Sequence, residues 1–282
     1  MNIQKLHISD ARYPERLRAF FNPPQELYYI GDLAALERPL CAIVGTRRMS
    51  AYGEAQAFRF GRELSARGIC IVSGLAYGID KAAHEGALNG PGGTVAVLAQ
   101  GLPDIQPAAH RDLARRILEK GGLLLSEYAA GVQTYKSDYL VRNRIIAGLC
   151  KATLVVEAPF KSGAMNTAKH AYDNGREVLC VPGRIGDTVC EGTNALLQRG
   201  AHVALEPKDI AEVLDVPWTA REVKLDGLAG EIFALLRKAP RSPAELGETF
   251  DRMTELYEAL GELELRGLIR FTKDLRYAAV AG

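Results

Sequence analysis

A short apolar strand, LCAIVG at 40–45, is the feature that most constrains the fold of this chain. It runs directly into Thr46, Arg47 and Arg48, and Ser50 then stands where a helix should begin. A tight turn between a strand and a helix leaves backbone N–H groups pointing at one place, with two guanidinium groups beside it. The pattern predicts a phosphate-binding turn. Taken alone, it fits an ordinary strand-to-helix turn with solvated arginines equally well.

Apolar strand candidates alternate with stretches of helical period through most of the chain, which is typical of a parallel sheet covered on both faces. We predict strands at 40–45, 69–73, 94–99, 123–126, 153–157, 177–181 and 202–205, and helices at about 51–67, 77–89, 107–120, 138–149, 163–174 and 193–199. The fold class is therefore α/β, a Rossmann-like doubly wound and mostly parallel sheet. Ligands of such sheets bind beyond the carboxyl ends of the strands, so the loops after the strands hold the candidate site.

The pattern changes near residue 215 and predicts a second, smaller domain. We divide the chain into an N-terminal extension packing on the core (1–38), the Rossmann-like domain (39–214), a linker (215–224) and a winged-helix domain (225–282). The last part contains three helix candidates and two short strands around a turn at Lys273 and Asp274, and Gly267 is expected to end the third helix. Its third helix carries several glutamates, which disfavours binding to duplex DNA and favours contact with another protein.

The charge of the whole chain is nearly balanced, with 35 basic and 34 acidic side chains among 282 residues. Any site for a polyanion must therefore be local. No signal-peptide segment and no membrane span is recognised, so we expect a cytoplasmic protein without a membrane partner. The five cysteines lack metal-binding spacing and are expected to be reduced thiols of the core, with no metal site.

A second group of basic and aromatic residues lies in TYKSDYLVRNRIIAGL at 134–149. Cations suit the backbone of a single nucleic-acid strand, and aromatic rings suit its unpaired bases. The group consists of Tyr135, Lys136, Tyr139, Arg142, Asn143 and Arg144. The alternative is that the charges are solvated on a helix and the tyrosines pack.

Two further loops are candidates. Lys161, Ser162 and Gly163 lie between a strand and a helix and could form another anion contact, although Ser162 could simply cap the helix. Asp80 and His84 stand four residues apart on one helix face and could be imagined as a catalytic pair. We favour a structural role for both, because no nucleophile motif and no metal spacing accompanies them. We expect no enzymatic activity and no cofactor.

Taken together, these motifs resemble the family of the DNA-processing protein DprA, also called Smf. The matching segments are YPERLRAFFNPPQELYYIGD (13–32), GTRRMSAYG (45–53), SGLAYGIDKAAHEGAL (73–88), TVAVLAQGL (94–102), LLSEY (124–128), RNRIIAGL (142–149), LVVEAPFKSGAMNTA (154–168), GREVLCVPG (175–183) and EGTNALLQRGA (191–201). The resemblance covers nearly the whole chain.

The resemblance implies a single-stranded DNA-binding protein that protects incoming DNA in natural transformation, helps to load the RecA recombinase for homologous recombination, and works as a homodimer. It also implies where the DNA binds. The predicted DNA-binding residues are Gly45, Thr46, Arg47, Ser50, Ser73, Gly74, Gly78, Lys136, Tyr139, Arg142, Asn143, Arg144, Lys161, Ser162 and Gly163. Tyr77 departs from the pattern, since arginine is common there in the family.

The alternative function is that of a nucleotide-processing enzyme from the related Rossmann-like phosphoribohydrolase group. Such an enzyme would need a PGGxGT loop followed by a catalytic glutamate. The chain contains only fragments of that loop, PGGT at 91–94 and PGR at 182–184.

Overall fold

The computed structural model describes residues 2–218, 225, 227–250, 252–265, 268–272 and 274–279. The chain divides into two compact units, residues 1–218 and 219–282. The division falls within the predicted linker at 215–224, of which residues 219–224 lie outside the described ranges.

The first unit is built on one nine-stranded sheet. Its strands are β1 (Gln4–His7), β2 (Glu26–Gly31), β3 (Leu40–Val44), β4 (Cys70–Ser73), β5 (Thr94–Leu98), β6 (Leu123–Ser126), β7 (Ala152–Val155), β8 (Glu177–Cys180) and β9 (His202–Val203). Their order in space is β1-β2-β6-β5-β4-β3-β7-β8-β9. The seven strands from β6 to β9 are parallel, and β2 pairs with β6 in the antiparallel sense. The predicted Rossmann-like α/β class is confirmed.

Helices cover both faces of this sheet. They are α1 (Glu15–Arg18), α2 (Ala51–Ser65), α3 (Ile79–Ala87), α4 (Arg111–Glu119), α5 (Lys136–Leu149), α6 (Gly163–Asp173), α7 (Glu191–Gln198) and α8 (Pro207–Val213). Alternate residues of a strand point to opposite faces. Ala42 and Val44 of β3 accordingly join the apolar cluster of α5 and α6, whereas Cys41 and Ile43 join that of α2 and α3.

The N-terminal extension does more than pack on the core, because it contributes two strands, β1 and β2, to the sheet. Leu6 and Leu27 are fully buried there. The Tyr13 hydroxyl donates a hydrogen bond to the carbonyl oxygen of Pro24 at 2.8 Å, which fixes the segment between the two strands. The sequence analysis did not predict these strands.

The second unit has three helices, α9 (Gly227–Lys238), α10 (Pro243–Thr249) and α11 (Met253–Leu265), and an antiparallel pair, β10 (Ile269–Phe271) and β11 (Tyr277–Ala279). Ser242 and Glu245 cap α10 reciprocally, at 3.2 and 2.7 Å. Gly267 and Lys273 lie outside the described residues, and the winged-helix assignment stays a prediction. Within the described ranges, no helix has the length and apolar character needed to cross a bilayer.

Candidate functional site

A groove of about 770 Å³ lies at the carboxyl ends of β3 and β7. These strands are neighbours in the sheet, and the chain winds away from them in opposite directions. This is the place where open α/β sheets bind their ligands. The groove is lined by Val44, Gly45, Thr46, Arg47, Arg48, Ala76, Asp80, Lys136, Tyr139, Leu140, Arg142, Asn143, Ile146, Pro159, Lys161, Ser162, Gly163, Ala164 and Thr167.

Two glycines let the loops after β3 and β4 approach each other. A Cβ atom at Gly45 would overlap the Ile79 side chain, and one at Gly78, whose φ is 76°, would overlap the carbonyl oxygen of Thr46. The Ile79 N–H donates to that same carbonyl at 3.2 Å, and the Thr46 N–H donates to the carbonyl of Glu157 at 2.7 Å. The turn after β3 is thus held from both sides, with glycine required at the contact points.

A buried glutamate occupies the start of α2. Ser50 caps this helix by accepting a hydrogen bond from the Gly53 N–H at 3.1 Å. The Ser50 N–H and hydroxyl in turn donate to the carboxylate of Glu157 at 2.9 and 2.5 Å, and Glu157 is only 1% exposed. The helix N-terminus predicted to hold phosphate therefore already faces a protein carboxylate. The sequence analysis missed this role, for which an acid closing the apolar run LVVE was the signal.

The groove is strongly positive although the chain is nearly neutral. Five basic side chains and one acid line it. Arg47, Arg48, Lys136 and Lys161 are exposed, and the ion pairs within the described part of the chain involve none of them. The guanidinium carbon of Arg47 lies 5.3 Å from the centroid of the Tyr139 ring. Cations and an aromatic face thus stand together at one wall.

Arg142 forms the floor of the groove rather than its rim. It is 4% exposed and donates to the carbonyl oxygens of Gly74, at 2.8 Å, and Val97. Burial lowers the pKa of Arg142 to about 10, against the opposing effect of nearby Asp80. Asp80 accepts from the N–H groups of Gly74 at 3.0 Å and Ala76 at 3.4 Å, and burial raises its pKa. These contacts favour the structural interpretation of Asp80, since both charged groups hold the loop after β4.

His84 holds the same loop from below. Its Nε2 accepts from the Leu75 N–H at 3.3 Å, and its Nδ1 lies 2.7 Å from the Thr94 hydroxyl oxygen. That hydroxyl donates to the Ile71 carbonyl, so the imidazole must donate from Nδ1 and is neutral. Complete burial lowers the pKa of His84 to about 3. Leu75 has a left-handed φ of 55°, and its carbonyl lies 2.8 Å from Nδ1 of His110. These contacts favour the structural interpretation of His84.

Several predicted DNA-binding side chains are engaged in contacts within the protein. The Ser73 hydroxyl is fully buried and donates to the Ile43 carbonyl at 2.6 Å. Arg144 is buried in an ion pair with Glu127 and does not line the groove. Asn143 does line it, while its amide nitrogen donates to the Gly163 carbonyl at 3.1 Å. These placements favour positioning roles, and direct DNA contact by these side chains stays a prediction.

The loop after β7 supplies the opposite wall. The Ser162 hydroxyl accepts from the Met165 N–H at 3.4 Å, which confirms it as the cap of α6, and exposed Lys161 stands beside it. Of the predicted residues, the groove brings together Gly45, Thr46, Arg47, Lys136, Tyr139, Arg142, Asn143, Lys161, Ser162 and Gly163. The other five predicted residues, Ser50, Ser73, Gly74, Gly78 and Arg144, do not line the groove. The lining residues outside the predicted DNA-binding set are Val44, Arg48, Ala76, Asp80, Leu140, Ile146, Pro159, Ala164 and Thr167, although the sequence analysis had placed the Arg48 guanidinium beside the turn after β3. Among the residues that the structure describes, no group of three metal-ligating side chains occurs.

Comparison with known proteins agrees with this geometry. The family model described as DNA recombination-mediator protein A matches residues 4–215. The chain is 44% identical over 202 residues to protein Smf of Escherichia coli, covering 72% of this chain and 54% of that protein. It is 40% identical over 247 residues to a putative DNA processing protein DprA of Mycobacterium tuberculosis, covering 87% and 59%. The chain thus spans little more than half the length of these two relatives.

Two solved structures are similar over about three quarters of this chain. The X-ray structure of DNA processing protein A from Streptococcus pneumoniae has a TM-score of 0.71 and 38% identity, covering 75% of this chain and 74% of that one. The protein of the same name from Helicobacter pylori, whose structure concerns a unique single-stranded DNA binding mode, has a TM-score of 0.68 and 31% identity, covering 76% and 95%.

Proposed function

Because the chain belongs to the DNA recombination-mediator protein A family, we propose that it binds single-stranded DNA in the groove at the ends of β3 and β7. The observation that carries the proposal is the set of four exposed cations, Arg47, Arg48, Lys136 and Lys161, around the half-buried ring of Tyr139. Exposed cations without acidic partners remain available to phosphate groups. A ring in the same wall offers a face to an unpaired base, with ~1–3 kcal/mol per stacked base.

The phosphates contact side chains rather than the start of α2 in this proposal. Glu157 already accepts the Ser50 N–H at 2.9 Å, and its negative charge opposes a second anion at that helix end. Arg47 and Arg48, on the same turn, point their charge outward and supply the attraction instead. Binding should therefore fall steeply with salt, by about 0.7 in logarithmic slope for each phosphate contact.

The wider role that we propose is protection of incoming DNA in natural transformation and delivery of that DNA to the RecA recombinase, by a homodimer in the cytoplasm. The family description as a recombination mediator supports this role. The five buried free thiols support a reducing compartment. We further propose that the protein is not an enzyme, since Asp80 and His84 are engaged with backbone groups.

We propose a winged-helix fold and a protein-contact role for the second unit. Three helices and an antiparallel strand pair support the fold. The exposed glutamates of α11, Glu255, Glu258 and Glu262, support contact with a protein, because phosphate would be repelled there.

Fluorescence anisotropy with a labelled oligothymidylate tests the groove. Arg47→Ala and Lys136→Ala should each weaken binding and reduce the salt slope by about 0.7, while leaving folding intact. Lys120→Ala is the matched control, since this exposed lysine precedes β6 and therefore lies at the opposite edge of the sheet. Unchanged affinity and slope in both groove variants would overturn the assignment of the groove.

A further inference from the structure

Tyr77 lies in the loop after β4, and its ring contacts that of His110, which follows β5 in the chain. On one side of Tyr77 in this loop, Ala76 lines the groove. On the other side, a Cβ atom at Gly78 would lie 2.9 Å from the Cα of Arg47, so the two backbones touch. Tyr77 itself is 48% exposed. A large, exposed aromatic side chain thus belongs to a loop whose backbone touches that of Arg47, one of the cations of the groove.

The ring is held in a fixed orientation. It packs against the buried His110 ring with a centroid distance of 4.9 Å and an interplanar angle of 67°. His110 is anchored in turn by the 2.8 Å contact between its Nδ1 and the Leu75 carbonyl. Leu75 is in the left-handed conformation and is held at its N–H by His84. A series of buried contacts therefore fixes the position of His110, against which the Tyr77 ring packs. Little conformational entropy is then lost when the ring binds a ligand.

We infer that Tyr77 is a stacking platform for a base of single-stranded DNA, next to the nucleotide whose phosphate Arg47 holds. The inference rests on the proposed function and adds a binding residue to it. The contact with His110 covers one part of the ring, and the 48% of the side chain that is exposed leaves aromatic surface open to solvent beside the proposed path of the strand. A neutral aromatic face recognises the base and not the phosphate. The bound strand therefore extends from Tyr139, past Arg47, towards the β5 side of the sheet edge.

Titration of the full chain with labelled oligothymidylate at several salt concentrations tests this inference. Tyr77→Ala should weaken binding about 5- to 150-fold without changing the salt slope, because a stacked base and no phosphate contact is lost. Tyr77→Phe should bind like the wild type. Tyr172→Ala is the matched control, since this tyrosine is 73% exposed near the end of α6, at the opposite edge of the sheet.

An oligomer of abasic deoxyribose phosphates separates stacking from other effects. The wild type and Tyr77→Ala should bind it equally, since it offers no base. Equal affinity of both proteins for oligothymidylate, or a difference that persists on the abasic oligomer, would overturn the inference. If the alanine variant loses stability, Tyr77→Leu keeps an apolar cover over His110 and answers the same question. Failure of the wild type to bind oligothymidylate would instead overturn the proposed function, and this inference with it.

Discussion

Protonation of His84 should set the acid limit of the first unit's stability. Burial lowers the pKa of its imidazole from an ordinary 6.5 to about 3 in the folded protein. Between these values the unfolded chain binds a proton that the folded chain does not. The free energy of unfolding should therefore rise with pH in this window, and the stability is lost as the pH falls from about 6.5 towards 3.

The expected size follows from the same linkage. One proton corresponds to about 1.4 kcal/mol per pH unit, so the full window is worth at most about 5 kcal/mol. This approaches the whole stability of an ordinary domain, about 5–15 kcal/mol. His84→Gln removes the titrating group. Between pH 6 and pH 4, the free energy of unfolding of this variant should therefore depend less steeply on pH than that of the wild type, and the difference in slope should correspond to about one bound proton. Asp80 and His170, whose pKa values are also shifted by burial, are present in both proteins and cancel in the difference.

Urea unfolding followed by tryptophan fluorescence measures this difference in the first unit alone. Trp218 is the single tryptophan of the chain. It belongs to the first unit and packs against the apolar cluster of α2 and α3, with the Arg67 guanidinium 3.4 Å from its ring centroid. Coinciding slopes for the wild type and His84→Gln between pH 6 and pH 4 would refute the reasoning. If the variant does not fold, NMR titration of the wild type gives the answer, because a native His84 signal that titrates near 6.5 would refute it as well.

Two further predictions concern the loop after β4. Gly78→Ala should lower the free energy of unfolding in urea by at least about 2 kcal/mol and weaken oligonucleotide binding, since φ is 76° and the Cβ would overlap the Thr46 carbonyl. The control Gly175→Ala, where φ is 64° and the space around the Cβ is open, should lower it less. Equal losses in the two variants would contradict the steric argument. Arg142→Met should cost about 3–5 kcal/mol because it leaves the buried Asp80 without a counter-charge. Asp80→Asn should restore part of that loss in the double variant, whereas strictly additive losses would show that the two groups are not coupled.

The parallel strands β3 to β7 could be predicted from the sequence because each is buried along its whole length and appears as a continuous apolar run. The strands of the N-terminal extension could not. In β1 only Leu6 is buried, and β2 gains its place by pairing with β6, far away in the chain. The sequence analysis also missed helix α8, although Pro207 in its first turn and a capping box between Glu206 and Asp209 indicate its start.

Ten of the predicted DNA-binding residues line the groove, but how deeply each is buried could not be predicted. Charge marks Arg142 and Arg144 as equivalent to Lys136 in the sequence, yet residues 142–149 of α5 are all buried and Lys136 is exposed. A local pattern cannot show this, because the burial comes from the sheet and from α6 packing on the helix. For the same reason, the acid that closes the run LVVE is visible in the sequence, but its pairing with Ser50 depends on β3 and β7 being neighbours in the sheet.

The pairing of β2 with β6 affects the order in which the protein can mature on the ribosome. Tyr29 lies opposite Leu125, roughly a hundred positions later, and an isolated two-stranded hairpin is at best marginally stable in water. The segment with β1 and β2 therefore stays unpaired with the rest of the sheet, with Leu6 and Leu27 unprotected, until translation has passed β6. Nascent chains stalled before that point should be the natural clients of a holding chaperone, and those released after it should not.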